Sequence, residues 1–201
     1  MHTFLKLNKR KLRYAFTFCA VSFSSLALLV LSIGWFATGN SPKLSLVAAI
    51  LLFTIILFPA FAIFVGYLAW FIRRASRNKA FSKSPFSELG KIGFTTSLKE
   101  EHSKLHFTEE VQEGKINGFT IRCDLPEGNA NSIEFEVLHV FRKPDKIEFE
   151  RVENLLTHYN GYFKAENIAI SYKLKKTKAL SLENVENDLQ QFTAMLKQIF
   201  S

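Results

Sequence analysis

The sequence predicts a membrane-embedded α-helical hairpin of two transmembrane helices, followed by a small cytoplasmic α+β domain whose antiparallel sheet carries two packed helices. Three observations lead to this fold class: two long uncharged apolar runs, basic residues at their outer ends, and a mildly acidic remainder with strand and helix periodicities. We expect four parts along the chain. They are a basic cytoplasmic N-terminus (1–14), the hairpin (15–72, with helices at 15–37 and 44–72), a basic juxtamembrane linker (73–90) and the α+β domain (91–201).

The two apolar runs are long enough to cross a bilayer. Residues 15–37 and 44–72 contain no Asp, Glu, Lys, Arg or His. As helices they would span about 34 and 43 Å, against a hydrocarbon core of about 30 Å. The first run is longer than the roughly 7–15 apolar residues of a signal peptide, and neither run has the polar stripe of a core helix. Pro59, in the middle of the second run, is expected to kink its helix.

Basic residues lie at both outer ends of the predicted hairpin. Residues 1–14 carry five of them and no acid, residues 73–83 carry another five and no acid, and the intervening turn carries only Lys43. Because positive charge beside a span is retained in the cytoplasm, we expect a multi-pass protein of the plasma or inner membrane with both termini cytoplasmic. The residues assigned to this topology signal, and to contact with lipid headgroups, are Lys9, Arg10, Lys11, Arg13, Arg73, Arg74 and Arg77.

The net charge of +8 does not indicate a nucleic-acid partner. From Ser84 onward the chain has 15 basic and 18 acidic residues, whereas a nucleic-acid-binding domain needs a basic patch of its own. The two cysteines, Cys19 in the first run and Cys123 in a predicted strand, cannot meet, and free thiols suit a reducing compartment. The one basic cluster of the domain is interpreted as a solvated turn: Lys173, Lys175, Lys176 and Lys178.

The polar residues inside the apolar runs are hydroxyls and one thiol. The lack of ionisable side chains argues against a proton relay or a charge-coupled transporter, while a hydroxyl-lined oligomeric pore stays open. Small residues recur in the inner half of each helix and predict close helix–helix packing, with chance spacing as the alternative. These membrane helix-packing residues are Ala20, Ser24, Ala62, Gly66 and Ala69.

The domain shows strand patterns followed by helix patterns. Residues 118–125 and 133–137 alternate apolar and polar side chains and predict an antiparallel hairpin, and residues 168–174 predict a further strand. Asp145 begins a capping box before one helix, and Ser181 caps a final helix with an apolar stripe. A repeated Ile-Glu-Phe-Glu at 133–136 and 147–150 is interpreted as coincidence. Residues 91–114 are ambiguous, with candidate strands at 92–94 and 105–107.

No catalytic, cofactor-binding or metal site is predicted. His102 and His106 have the spacing of two ligands on one helix face, but the glutamate that a metalloprotease places between them is missing, so solvated histidines are expected. Glu134 and Glu136 share one face of a strand, which we interpret as solvent-exposed. No Gly-rich phosphate loop follows a strand, and no serine lies in a nucleophile elbow.

These patterns favour a non-enzymatic integral membrane protein. We expect its partners to be the lipid bilayer and either another protein or copies of itself, with no cofactor and no nucleic acid. The alternative is a subunit of an oligomeric membrane pore or transport assembly, and a membrane-tethered enzyme is the third possibility.

Overall fold

A computed structural model of the chain describes residues 2–104, 106–126, 128–138, 146–164, 167–174 and 180–199. The chain divides into two compact units. The first unit is Met1–Ile72 together with Glu100–Glu109, and the second is Arg73–Lys99 together with Glu110–Ser201. A ten-residue segment from the loop between the first two strands therefore belongs to the first unit.

The first unit is built on two long apolar helical stretches. Helix α1 runs His2–Thr38, and the second stretch consists of α2 (Leu44–Leu52), a π-helical turn (Phe53–Leu57) and α3 (Phe58–Phe81). By length and composition alone, both stretches are sufficient to cross a membrane. The prediction of two long apolar helices is confirmed, and α1 also includes all five basic residues before position 15.

A π-helical turn lies just before Pro59, the residue at which a kink is predicted. Proline has no backbone N–H, and its ring conflicts with the carbonyl group four residues earlier. The wider π turn at Phe53–Leu57 ends two residues before Pro59 and relieves this conflict while the chain stays helical. Phe58, between them, has right-handed helical angles, φ −66° and ψ −48°.

Residues 73–90, predicted as a linker, are part of the second unit. The end of α3 covers residues 73–81, and a 3₁₀ helix follows at Phe86–Ile92. Ala80, Phe86 and Leu89 are each only 2% exposed and join the hydrophobic core of the second unit. Much of the segment is helical and its few apolar residues are buried, although its basic, Ser-rich composition predicted a juxtamembrane linker.

The second unit contains a six-stranded sheet in the order β1-β2-β3-β4-β6-β5. The predicted hairpin of the third and fourth strands is confirmed, with Cys123 opposite Phe135, and the predicted strand at 168–174 pairs antiparallel with β4. The strands are β1 (Thr95–Lys99), β2 (Glu109–Ile116), β3 (Phe119–Asp124), β4 (Ser132–Val137), β5 (Gly161–Lys164) and β6 (Asn167–Lys173).

Strand β2 was not predicted, and it begins inside the stretch 91–114 that was ambiguous in the sequence. Asn117 and Gly118 form the turn that follows it, with φ of 51° and 90°, and Ile116 lies opposite Phe119. Two consecutive residues with positive φ make a tight hairpin turn, for which Asn-Gly is strongly preferred. The candidate strand at 92–94 is not observed, since Ile92 ends the 3₁₀ helix and β1 begins at Thr95. Of 105–107, residue 105 lies outside the described residues and the other two are not in a strand.

Two helices, α4 (Lys146–His158) and α5 (Leu182–Ile199), complete the second unit. The Asn184 N–H donates to Ser181 Oγ at 3.1 Å, which confirms Ser181 as a helix cap. Asp145 lies outside the described residues, so its capping box is not seen. The second Ile-Glu-Phe-Glu segment lies in α4 and not in a strand.

The hydrophobic core lies on one face of the sheet, where α4 and α5 pack. Alternate residues of β3, β4 and β6 contribute to it, as expected for strands with one apolar face. The opposite face of the same strands carries charged residues, which are described below. The fully buried core includes Ile121, Ile133, Phe135, Val137, Ile168, Val152, Val185, Leu189, Phe192 and Leu196.

Candidate functional site

The first unit has an extensive exposed apolar surface. No residue of the run 15–37 is buried, and in the run 44–72, all of it described, only Pro59 and Trp70 are buried. Large apolar side chains such as Phe36 and Leu44 are more than 80% exposed. Exposing apolar surface to water costs about 25 cal/mol per Å², and large exposed apolar patches are typical of protein-interaction or membrane sites.

The two helical stretches are joined by a pair of hydroxyl groups. Ser24 Oγ lies 3.1 Å from Thr54 Oγ1, and Thr54 also donates to the carbonyl of Ile50 at 3.0 Å. Phe23 and Phe58 pack beside this pair, with ring centroids 4.2 Å apart. Thr54 lies in the π-helical turn, so that irregular turn carries the hydrogen bond between the helices.

The predicted packing residues have different environments. Ser24 makes the hydrogen bond just described, Ala20 and Ala62 are half-buried, and Ala69 is exposed. Gly66 lies against the ring of Phe107: a β-carbon at this position would lie 2.6 Å from Cε2 of that ring. The glycine therefore makes room for the segment Glu100–Glu109, which we call the strap.

An aromatic cluster holds the strap in the first unit. The ring of Phe4 is 5.0 Å from Phe107 and 5.1 Å from both Tyr67 and Trp70. Phe4 is only 1% exposed. Aromatic pairs in this distance range contribute about 0.5–1.5 kcal/mol beyond the area they bury. The strap is therefore fixed by packing as well as by the hydrogen bonds described next.

Thr108 of the strap is bonded to both helical stretches through its backbone. Its N–H donates to Asn8 Oδ1 at 2.7 Å, and its carbonyl accepts from Trp70 Nε1 at 3.0 Å. Asn8 is fully buried and also donates to the carbonyl of Phe4 at 3.2 Å. These bonds satisfy polar groups that would be costly to bury unpaired.

The basic N-terminal residues fall into two groups. Lys9, Arg10 and Arg13 are exposed, whereas Lys11 is only 9% exposed. The ammonium group of Lys11 donates to the carbonyl of His106 at 2.8 Å and to the carbonyl of Glu100. Lys11 is thus a strap-binding residue in addition to its predicted role in topology.

In the second unit, the charged residue that sequence analysis missed is Asp124. Arg77 Nε and Nη2 lie 2.6 and 3.2 Å from its two carboxylate oxygens, so this contact is bidentate. Arg73 Nη2 lies 3.4 Å and Lys99 Nζ 3.7 Å from Oδ2. Arg74 pairs separately with Glu110 at 2.8 Å. The three arginines predicted as a topology signal are therefore also ion-pair partners of the sheet.

The buried environment of Asp124 has opposing effects on its charge. Burial favours the neutral acid, but the hydrogen bond from Arg77, the charges of Arg77 and Lys99, and the N–H of Leu125 outweigh it, so the pKa of Asp124 lies below its ordinary value. The carboxylate is accordingly ionised in the folded protein at neutral pH. Asp124 could not be predicted as a site residue, because in the sequence it is a single acid at the end of a strand.

Glu134 and Glu136 are buried, so the prediction of an exposed strand face is wrong. They are 3% and 6% exposed. Lys164 Nζ lies 2.6 Å from Glu134 and 3.6 Å from Glu136, and Tyr162 donates to Glu134. Burial and the adjacent Glu134 carboxylate raise the pKa of Tyr162, which keeps its hydroxyl protonated. Polar side chains of β5 cover this face of the sheet. The alternation of residues along β4 could not predict that Glu134 and Glu136 are buried there.

The two histidines with metal-ligand spacing, His102 and His106, are exposed residues of the strap and not of a helix. Among the described residues, no group of three or more His, Cys, Asp or Glu side chains is arranged to hold a metal ion. Cys19 and Cys123 are both free thiols.

No family model, curated protein or solved structure matches this chain. Function is therefore inferred from the apolar helices, the strap and the charged groups described above.

Proposed function

We propose that the chain is a non-enzymatic integral membrane protein. Its two apolar helical stretches would cross the bilayer as a hairpin, and its α+β unit would act as a protein-interaction or assembly domain on the cytoplasmic side. The observation that carries the proposal is the exposed apolar surface along 15–37 and 44–72, with basic residues beyond both outer ends. A bilayer removes such a surface from water, and helices satisfy their own backbone there.

The charge distribution supports an orientation with both termini in the cytoplasm. Lys9, Arg10 and Arg13 are exposed beyond one end of the hairpin, and Lys79 and Lys83 beyond the other. Such residues beside a membrane span are retained on the cytoplasmic side. The ion pairs of Arg73 and Arg77 do not weaken this inference, because the orientation depends on basic residues during insertion and not on net charge.

Two observations support an interaction role for the second unit: its buried carboxylates already have cationic partners, and its sheet has two edge strands. Asp124, Glu134 and Glu136 are each engaged by cationic side chains, which suits a structural network. The sheet ends in β1 and β5, and an edge strand offers backbone groups to a partner strand. We infer that a protein partner or a second copy of the chain binds this unit.

The pore alternative has less support. Ser24 and Thr54 bond to each other, and Ser32 donates to the carbonyl of Leu28 at 2.8 Å. These hydroxyls are satisfied inside one hairpin, as expected for an anchor. In a water-filled pore, these hydroxyls would bond to water and not to groups of the hairpin.

Membrane insertion is tested by alkaline carbonate extraction of membranes from expressing cells. The full-length chain should stay in the membrane pellet, because its apolar stretches are held by the bilayer and not by surface charge. A chain released by carbonate would contradict the proposal. A variant lacking 15–72 serves as the peripheral control and should be released.

Orientation is tested by cysteine labelling in a Cys19→Ser, Cys123→Ala background. A membrane-impermeant maleimide should label Asn40→Cys in intact cells, and should label Ser84→Cys and Ser201→Cys only after permeabilisation. Labelling of the Ser201→Cys variant in intact cells would contradict the cytoplasmic placement of the second unit.

A further inference from the structure

A groove in the second unit lies outside the charged network around Asp124. Its volume is about 480 Å³. One wall is the end of α3 and the residues just after it, with Ser76, Lys79 and Lys83; the other has Asn131 and Leu174. Ser76 and Lys79 are three residues apart in α3, so their side chains share one face of the helix, and Lys83 lies two residues after the helix ends.

The polar side chains of this groove have no partner in the described part of the chain. Neither Lys79 nor Lys83 has a carboxylate within 4.0 Å there, and the side chains of Ser76 and Asn131 make no hydrogen bond to a described residue. This contrasts with Arg77, one turn away, whose charge is engaged by Asp124. The groove thus combines two unneutralised ammonium groups with a hydroxyl and an amide donor.

We propose that this groove binds the phosphate group of an anionic lipid. Ammonium, hydroxyl and amide groups all donate hydrogen bonds, and phosphate oxygens are strong acceptors. Two lysines provide the positive charge, and no acidic side chain is among the described residues that line the groove. Leu174 and Ala80 add apolar contacts, which fit the carbon atoms of a glycerol-linked headgroup better than a fully hydrated free ion.

The lipid source is favoured by the place of these lysines along the chain. Lys79 follows Ile72, the last residue of the apolar run, by seven residues in the same helix α3. At the α-helical rise this is about 10 Å along the helix, against a headgroup layer of about 5–8 Å, and the long lysine side chain spans the difference. The lipid assignment therefore rests on the proposed membrane insertion, whereas the phosphate-binding chemistry rests on the groove alone.

The test uses the full-length protein reconstituted into nanodiscs of phosphatidylcholine with phosphatidylglycerol. After transfer to detergent, native mass spectrometry measures the phosphatidylglycerol that stays bound. Lys79→Gln with Lys83→Gln should reduce the retained anionic lipid about 30-fold, because each basic residue near an anionic surface contributes about 1 kcal/mol. Lys115→Gln with Lys197→Gln removes the same charge from exposed positions outside the groove and should leave retention unchanged.

A second arm separates the lipid from free phosphate. Glycerol 3-phosphate and inorganic phosphate are added to the protein in phosphatidylcholine nanodiscs, and binding is followed by ³¹P line broadening. We expect weak binding of both, and Lys79→Arg with Lys83→Arg should restore lipid retention.

Soluble phosphate that binds as well as the lipid would overturn the lipid assignment, and equal losses in the groove and control variants would overturn the groove itself. A chain that reconstitutes normally but shows no lysine dependence contradicts only this inference; a chain that does not enter nanodiscs contradicts the proposed function.

Discussion

Arg77 Nε lies 2.6 Å from Asp124 Oδ1, and the two side chains are only 5% and 9% exposed. This pair joins the end of α3 to the end of β3 within the second unit. Because both charges are removed from water, each depends on the other for compensation. Arg73 and Lys99 approach the same carboxylate, so Asp124 is the common acceptor of the cluster.

The first prediction concerns the loss of this acceptor. Asp124→Asn leaves the Arg77 guanidinium buried without a counter-charge, and removing one partner of a buried pair costs about 3–5 kcal/mol. Chemical unfolding of the full-length protein in micelles would measure this. Glu110→Gln is the matched control, since its pair with Arg74 is about one-third exposed and should contribute less than about 1 kcal/mol. Equal effects of the two changes would contradict a special role for Asp124.

The second prediction concerns acid stability. The pKa of Asp124 is lower in the folded protein than its ordinary value of 3.8, so the folded state favours the ionised form. Its contribution is therefore fully present above about pH 5 and is lost as the pH falls through the folded pKa. Melting temperatures measured from pH 6 to pH 3 should fall more steeply for the wild type than for Asp124→Asn. Parallel curves would contradict this linkage.

The third prediction concerns the boundary of the folded domain. A fragment of residues 73–201 should fold as a soluble protein with a cooperative melt, and a fragment of residues 88–201 should be clearly less stable. The shorter fragment lacks Ala80 and Phe86 of the core and the Arg77 partner of Asp124. Circular dichroism melting of both fragments provides the comparison. Leu189→Ala in the longer fragment should cost about 2–5 kcal/mol, as for a fully buried leucine.

If the shorter fragment is as stable as the longer one, residues 73–87 are a linker after all. The same melts would then show that the buried contacts of Phe86 do not contribute to folding.

The fourth prediction concerns the hydroxyl pair between the helices. Ser24→Ala removes the bond to Thr54 and should destabilise the hairpin by about 0.6 kcal/mol, with about 1.7 kcal/mol as an upper bound. Ser32→Ala is the control, because Ser32 bonds only to the carbonyl of Leu28 in its own helix. Reversible unfolding in mixed micelles would measure both. A larger effect at Ser32 would contradict the assignment of Ser24 to the helix contact.

The fifth prediction concerns the strap. Asn8→Ala removes the acceptor of the Thr108 N–H and should release the strap, exposing Trp70 to water. In a Trp35→Phe background, Trp70 is the single tryptophan, and its fluorescence emission should shift to longer wavelength. Asn78→Ala, at an exposed position, should leave the spectrum unchanged.

Gly66 provides an independent test of the same contact. Gly66→Leu should displace the ring of Phe107, since even a β-carbon would lie 2.6 Å from it. Combining it with Phe107→Ala should relieve the conflict, although the Trp70 emission should then still report a loosened strap. A Gly66→Leu protein with unaltered Trp70 emission would contradict the close approach of Phe107.

Elements with strong local signals could be predicted from the sequence by itself. The two apolar runs could be predicted as helices, because uncharged apolar runs of this length are typical of transmembrane helices. The β3–β4 hairpin follows from alternation, and α5 follows from the Ser181 cap and a stripe of apolar residues that includes Leu189 and Phe192. In each case neighbours along the chain decide the structure.

Only the tertiary structure decided where the charged and short polar elements lie. Arg77 reads as one basic flank residue among several, and its partner Asp124 is 47 positions further along the chain. Gly66 reads as a helix-packing residue, but the ring that fills its place comes from Phe107 in a loop between strands. Glu134 has the alternation of an exposed residue and is buried under Tyr162 and Lys164. Contacts of this kind join residues that are far apart in the chain, so no periodic pattern in the sequence predicts them. A buried charge depends on its partner for compensation, and the fold decides which residue is that partner.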